Sequence, residues 1–306
     1  MHEVNPIPTV AVLLPTFNGE NFLEEQLESL LNQEGVLTKV YVRDDASTDK
    51  TVQILKKYTK VFEVVFSEVN IGTTASLLSL LHLAKDYDFV AFCDQDDVWA
   101  SNHLVLAVQG LMNTNKAIGA FYFPQYNYID SQSKLIGKRM PVGNIGSSNA
   151  LVENPIIGCG LVFNEFAAGK IKELDFSANY FLDHQIYFLG SLIGEIHQGS
   201  IYTINYRIHP GNQVGISSGA LDLFSNLSRV FDKVNQIKVQ QLALKKIFFQ
   251  IAKLIPQDST YVPSQHFSAV YSRNVIVRFK YFFYPQFRRQ KRLDQILFRL
   301  VFVLLF

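Results

Sequence analysis

Phe89-Val90-Ala91-Phe92-Cys93-Asp94-Gln95-Asp96-Asp97-Val98-Trp99 decides how this chain is read. An unbroken apolar run gives way at once to three carboxylates in four positions. Asp88–Cys93 has the composition of a strand buried on both faces, which is the condition of strands in a parallel sheet. The acids then fall just past that strand's carboxyl end, where open α/β sheets bind ligands.

The chain before this point repeats the pattern. Thr9–Leu14, Lys39–Arg43 and Val61–Phe66 read as three more strands. Asn21–Asn32 carries Leu23, Leu27, Leu30 and Leu31 at helical spacing. Ser47 is placed to cap a helix with Asp49 in its first turn. Thr73 or Thr74 is placed to cap another helix bearing Leu77, Leu80, Leu81 and Ala84. Strands alternating with helices at this spacing predict βαβ units. Farther on, Gly119–Tyr128, Ile156–Phe163 and Ser200–Arg207 read as strands. Asn164 caps a short helix, Tyr180–Ile193 is a helix, and Asn226–Ile255 is a long one. That long helix carries a stripe of Val230, Val234, Ile237, Leu244, Phe248, Ile251 and Ile255, interrupted by Gln241.

Composition narrows the function. The 306 residues are 48% hydrophobic and 18% charged, enough apolar surface to offset chain entropy. The net charge of +1 supplies no global basic field, so nucleic acid is not an expected partner. Cys93 and Cys159 lie far apart without CxxC spacing, which argues against a disulfide framework and a thiolate zinc site. The start, Met1–Pro8, is polar and proline-containing and does not read as a signal peptide. Neither GxxxxGK[ST] nor a GxGxxG after the first strand occurs, so P-loop and dinucleotide-binding chemistry are unsupported.

Two acidic clusters follow strands: Arg43-Asp44-Asp45-Ala46-Ser47 and Asp94-Gln95-Asp96-Asp97. Crowded carboxylates repel unless a cation or donors compensate. Asp94 and Asp96 share a face if extended, and a hard divalent ion such as Mg²⁺ or Mn²⁺ takes oxygen ligands while bridging to phosphates. A solvated acidic turn capping the helix after Ser101 is the plainer alternative. Cys93 and Cys159 read as buried small hydrophobes, and Trp99 as packing beneath the acidic loop.

In order and spacing, Val12-Leu13-Leu14-Pro15-Thr16-Phe17-Asn18-Gly19-Glu20, the Arg43–Ser47 cluster, Asn70-Ile71-Gly72 and Asp94-Gln95-Asp96-Asp97-Val98-Trp99 resemble the inverting family 2 glycosyltransferases with the GT-A fold. Gly158-Cys159, Asn164, Leu182-Asp183-His184 and Tyr206-Arg207-Ile208-His209 with Asn212 are similar to the bacterial rhamnosyltransferase branch. The resemblance covers about residues 9–215. It implies an α/β fold with a mostly parallel central sheet flanked by helices, and a nucleotide-diphosphate sugar as donor. It implies that Thr16 and Asp45 contact the pyrimidine, with Asn18 and Asn70 in the donor-binding set. Asp94 would contact the ribose, and Asp94 and Asp96 would hold Mn²⁺ or Mg²⁺. Arg207 and His209 would lie near the diphosphate or close over the donor. Asp183 would be the base that deprotonates the acceptor hydroxyl; read by itself it serves equally as a helix cap. The acceptor implied is a lipid-linked or growing cell-surface polysaccharide, receiving L-rhamnose from dTDP-rhamnose in the first reading, with a UDP-hexose donor, or a non-catalytic nucleotide-sugar-binding protein, as the alternatives.

Charge is uneven. Residues 273–306 hold eight basic side chains against Asp294, a local +7, leaving the rest of the chain at −6. They end in Ile296-Leu297-Phe298-Arg299-Leu300-Val301-Phe302-Val303-Leu304-Leu305-Phe306, too short a run for a spanning helix of about 20 residues. Basic residues beside aromatic and aliphatic ones suit an anionic membrane interface; docking on the long helix, or an oligomer contact, is the alternative. The chain thus divides into a GT-A catalytic domain, 1–220, and a helical, basic and aromatic extension, 221–306. A cytoplasmic protein held peripherally at the inner face of the plasma membrane is expected.

Overall fold

A computed structural model describes residues 6–141, 145–212 and 227–254. The chain forms two compact units. The first comprises Met1–Val142, Ile157–Glu173 and Gly194–Asn212, and the second Gly143–Ile156, Leu174–Ile193 and Gln213–Phe306.

The first unit is built on one mixed sheet. Its leading strands are β1 (Thr9–Thr16), β2 (Leu37–Asp45), β3 (Glu63–Ser67) and β4 (Phe89–Phe92). These pair in parallel, in the order β3-β2-β1-β4. Helices α1 (Leu23–Leu31), α2 (Thr51–Tyr58) and α3 (Thr73–Leu83) make the crossovers. Every residue of β1 from Val10 to Thr16 is buried. Val10, Val12 and Leu14 join Leu27 of α1 and Leu55 of α2 in one apolar cluster, while Ala11 and Leu13, alternating to the other face, are buried too. Coverage on both faces is why these strands read as continuous apolar runs.

Beyond β4 the sheet turns mixed. After β5 (Val98–Trp99) and α4 (His103–Leu111) come β6 (Gly119–Ile129), β7 (Leu135–Lys138), β8 (Val162–Asn164), α6 (Glu165–Lys172) and β9 (Gly194–Arg207); α5 (Ser147–Ala150) belongs to the second unit. The order continues β4-β8-β6-β9-β5, with β7 on β6. β8 is antiparallel to both neighbours, β6 and β9 are parallel, and β5 is antiparallel to β9. The parallel pattern inferred from βαβ spacing therefore holds for the first four strands.

Three local expectations are corrected. Ser47 caps no helix: α2 starts at Thr51, and Asp49 precedes it, accepting from the Thr51 N–H at 2.9 Å. Neither Thr73 nor Thr74 caps α3, whose N-cap is Gly72 without a side-chain bond. The strand expected over Ile156–Phe163 shrinks to β8 because Gly160 turns the chain at φ +71, where a Cβ would also meet Ile204 at 2.8 Å. Asn164 does cap α6, accepting from the Ala167 N–H at 3.0 Å.

The second unit packs α5 and α7 (Leu182–Ile193), and α7 packs on α8 (Leu227–Leu254). Ile237, Leu244, Phe248 and Ile251 of α8 are buried, as the stripe predicts. Gln241 does not break the stripe: it is buried and donates to the Leu151 carbonyl at 2.8 Å. Among the described residues no helix is long and apolar enough to cross a membrane. The basic stretch 273–306 lies outside the described residues.

Candidate functional site

The carboxyl ends of β1, β2 and β4 bring the predicted donor residues of the first unit into adjacent loops. Thr16 and Asp44 are register partners across β1 and β2. Asp44, almost fully buried, accepts from Thr16 Oγ1 at 3.2 Å, from Ser47 Oγ at 2.6 Å and from the Ser47 N–H at 3.1 Å. It is the knot of this loop, with a role larger than the turn cap its sequence position suggests. Asn18 adopts φ +48, a region costly for most residues, and its Oδ1 accepts from the Thr48 N–H at 2.8 Å. Ala46 is also left-handed, at φ +64.

Asp45 is 3% exposed and reaches the next loop, accepting from the N–H groups of Ile71 at 3.0 Å and Gly72 at 2.8 Å. Asn70 Oδ1 shares the Gly72 N–H at 2.9 Å. Thr16, Asn18, Asp45 and Asn70 therefore stand in one hydrogen-bonded set of loops. In this structure their side chains hold the loops' shape.

The acids after β4 have unlike surroundings. Asp97 is fully buried, with Oδ1 accepting from the Arg207 N–H at 3.0 Å and Oδ2 against the Cys159 thiol. Burial, and then the Asp96 and Asp94 charges, push its carboxyl well above the usual carboxylate range. Burial and the same aspartate push the Cys159 thiol up as well. Asp94 and Asp96 are only half-buried. Asp96 Oδ2 lies 2.7 Å from His209 Nε2, and the His209 ring packs on Phe22 with centroids 4.9 Å apart. The tetrad is thus no solvated turn, and Asn102, not an acid, stands at the N-cap of α4.

Ligand atoms of Asp94, Asp97 and Cys159 lie within 4.8 Å of one another, a grouping able to hold a metal ion. The thiol, buried and held protonated, is a poor ligand for a hard cation. Carboxylate oxygens are the donors that Mg²⁺ and Mn²⁺ prefer, so the half-buried Asp94 and Asp96 fit the expected ion by their donor chemistry. The sequence pairs Asp94 with Asp96; that Asp97 and Cys159 form a buried pair beside Asp94 is not legible in it, since the two lie 62 positions apart.

Arg207, expected near the diphosphate, reaches the acidic loop after β4. Its side chain is 0% exposed. Nε donates to the Asp96 carbonyl at 2.8 Å, Nη1 to the Asp130 carbonyl at 3.1 Å and to Ser133 Oγ at 2.9 Å, and Nη2 to Glu25 at 2.5 Å. The guanidinium also lies over Phe22, 4.7 Å from the ring centre. An arginine so engaged is a brace for the acidic loop. Glu25, its partner on α1, carries no sequence signal beyond an acidic residue in a first helical turn.

Trp99 is buried edge-on to His103, as expected of a residue beneath the loop. His103 is itself fully buried, with Nδ1 2.9 Å from Thr203 Oγ1 and Nε2 3.1 Å from the Gly160 carbonyl. The carbonyl requires Nε2 to donate, and burial, which pulls the pKa down to about 3, keeps the ring neutral.

Asp183 lies in the second unit, in the first turn of α7. It is half-buried, and its Oδ1 accepts from the His184 N–H at 2.7 Å. His184 is buried, with Nε2 2.7 Å from the Ala150 carbonyl and Nδ1 2.5 Å from the Tyr180 hydroxyl, so it serves packing.

Comparisons agree with this architecture. The chain is 32% identical over 111 residues to the dTDP-rhamnosyl transferase RfbG of Shigella flexneri, covering 33% of this chain and 38% of that protein. It is 27% identical over 151 residues to the UDP-Glc:alpha-D-GlcNAc-diphosphoundecaprenol beta-1,3-glucosyltransferase WfgD of Escherichia coli, covering 49% of this chain and 57% of that protein. The chain spans about half the length of the curated relatives it matches. Its fold is similar to that of S. aureus TarS, with a TM-score of 0.51 at 18% identity over 90% of this chain and 47% of that one. Residues 11–150, which carry the β1 loop, the Asp44-Asp45 turn and the acidic loop after β4, match the profile of "Glycosyl transferase family 2".

Proposed function

We propose that this chain is an inverting, metal-dependent glycosyltransferase that moves a hexose from a nucleotide diphosphate to a lipid-linked or growing cell-surface polysaccharide. The observation that carries the reading is the half-buried Asp94 and Asp96 at the carboxyl end of β4, beside a buried Asp97. L-rhamnose from dTDP-rhamnose is the favoured donor, supported by the likeness to RfbG. The WfgD likeness favours a UDP-hexose as the second reading.

In this proposal Thr16 and Asp45 contact the pyrimidine, Asn18 and Asn70 shape the donor loops, and Asp94 meets the ribose. Asp94 and Asp96 hold Mn²⁺ or Mg²⁺, with His209 beside them; the ion, when bound, offsets charge on the departing diphosphate. Asp183 takes the acceptor hydroxyl proton, and its place in the first turn of α7 favours the carboxylate form that a base requires. Arg207 positions the acidic loop. Residues 1–220 form the catalytic domain. Residues 221–306 attach it peripherally to the anionic cytoplasmic face of the plasma membrane, for which the +7 charge of residues 273–306 is the support.

The test is transfer from dTDP-rhamnose and from UDP-glucose, with Mn²⁺ and with EDTA. Metal-dependent transfer that Asp96→Ala abolishes is expected. Undiminished transfer in EDTA, or in Asp96→Ala, overturns the mechanism.

A further inference from the structure

Gln95 is the one member of the acidic loop that carries no charge, and the chemistry above does not use it. Its side chain turns back to the β1 loop. Oε1 accepts from the Phe17 N–H at 2.9 Å, and Nε2 donates to the Phe17 carbonyl at 3.0 Å. One side-chain amide therefore satisfies both backbone groups of a single residue, as a neighbouring strand would. Phe17 lies between Thr16 and Asn18 on one loop, and Gln95 between Asp94 and Asp96 on the other.

A second observation concerns Gly19. A Cβ on Gly19 would fall inside the Gln95 amide, with Cδ only 2.8 Å away. The far end of the glutamine would have to move, since the Gly19 N–H is itself held by Thr51 Oγ1 at 2.8 Å. Gly19 thus keeps open the lane that Gln95 occupies.

We infer that Gln95 is a positioning residue that locks the Thr16–Asn18 loop to the Asp94–Asp96 loop, setting the spacing between the part of the donor site that meets the nucleoside and the part that meets the diphosphate. The inference rests on the donor-site reading above. Its chemistry requires an amide. A carboxylate would accept from the Phe17 N–H but set its second oxygen against the Phe17 carbonyl.

The experiment titrates UDP and dTDP, each with Mn²⁺, into the full chain by calorimetry, and measures donor KM and kcat for the better of the two donors. Gln95→Ala is expected to weaken nucleotide binding and raise donor KM roughly tenfold, the scale of two modest hydrogen bonds, with kcat changed less than about threefold. Gly19→Ala should give a similar loss. Gln95→Glu should stay impaired although its volume is conserved. The double variant Gly19→Ala/Gln95→Ala should bind no more weakly than the worse single variant, because both act on one contact. Native-strength binding in Gln95→Ala, full rescue by Gln95→Glu, or additive losses in the double variant would overturn the inference while leaving the donor site standing. Failure of the native chain to bind either nucleotide would overturn the donor-site reading, and this inference with it.

Discussion

Two parallel strands of this protein, β2 and β4, lead into aspartates at their carboxyl ends, and the surroundings treat them in opposite ways. At the end of β2, Asp44 and Asp45 are surrounded by donors from their own and adjacent loops: Thr16, Ser47, Ile71 and Gly72. At the end of β4, Asp97 is buried beside Asp94 and Asp96, and its own carboxyl is raised as a result. A carboxylate satisfied by backbone and hydroxyl donors is architecture, because its charge is already spread over neighbours. Carboxylates crowded against one another store unfavourable electrostatics that an incoming cation can relieve. In the proposed function the second strand end therefore takes the cation, while Asp44 at the first holds its loop in shape.

The sharpest way to break this contrast is to exchange the effects. Asp96→Asn should lower kcat/KM by at least about 100-fold while leaving the melting temperature near that of the native chain. If the melting temperature falls instead and activity survives, Asp96 belongs with the architectural acids. Next in size is Arg207→Met, which leaves the Asp96 carbonyl and Glu25 without their buried partner. It should cost about 3 kcal/mol in denaturant unfolding, because the Asp96 and Asp130 carbonyls lose a charged donor while the exposed Glu25 regains water. Native stability in this variant would show the brace to be dispensable. Asp44→Ala should cost about 2–3 kcal/mol, since several donors lose one acceptor; a variant as stable as the native chain would remove the knot from the account.

Acid supplies a subtler test. His103 lies beneath the β4 end, and its pKa of about 3 is far below the ordinary 6.5. As pH falls below about 6.5, the unfolded chain takes up a proton that the folded chain refuses. Stability should therefore drop from pH 6.5 toward 3, and His103→Gln should reduce proton uptake on unfolding at pH 5 by about one. An unchanged slope in that variant would show that His103 is not the group responsible. The smallest effect belongs to the β2 end, where Ala46 holds a left-handed conformation. Ala46→Gly should stabilise by about 0.5–1 kcal/mol, read as a shift in denaturant midpoint. A loss of stability would mean that Ala46's methyl contributes packing that outweighs its strain.

Much of the first unit was legible. Burial on both faces leaves a run with no polar alternation, so β1 and β4 announced themselves, and the acids after them could be placed at strand ends. Caps were read less well: Ser47, Thr73 and Thr74 are sound capping residues, yet Ser47 is drawn instead into the Asp44 knot. Local preference yields where a tertiary partner offers a better bond. Arg207 shows the limit of such reading. The resemblance places it near the diphosphate, but no pattern in the sequence tells that Glu25, 182 positions away, Ser133 and the Asp96 carbonyl take its donors.

What the amino-acid order determined by itself was periodic or compositional: the βαβ half of the sheet, the long α8 with its stripe, and which residues are acids at strand ends. What only tertiary structure decided was which of those acids are satisfied. Whether Asp45 meets the Ile71 and Gly72 N–H groups, or Asp97 meets Cys159, depends on residues 26 to 62 positions apart arriving within hydrogen-bond reach. Hydrogen bonding acts over one atomic contact, while sequence pattern speaks only of neighbours on the same element, so the chemistry of each carboxylate was set by the fold.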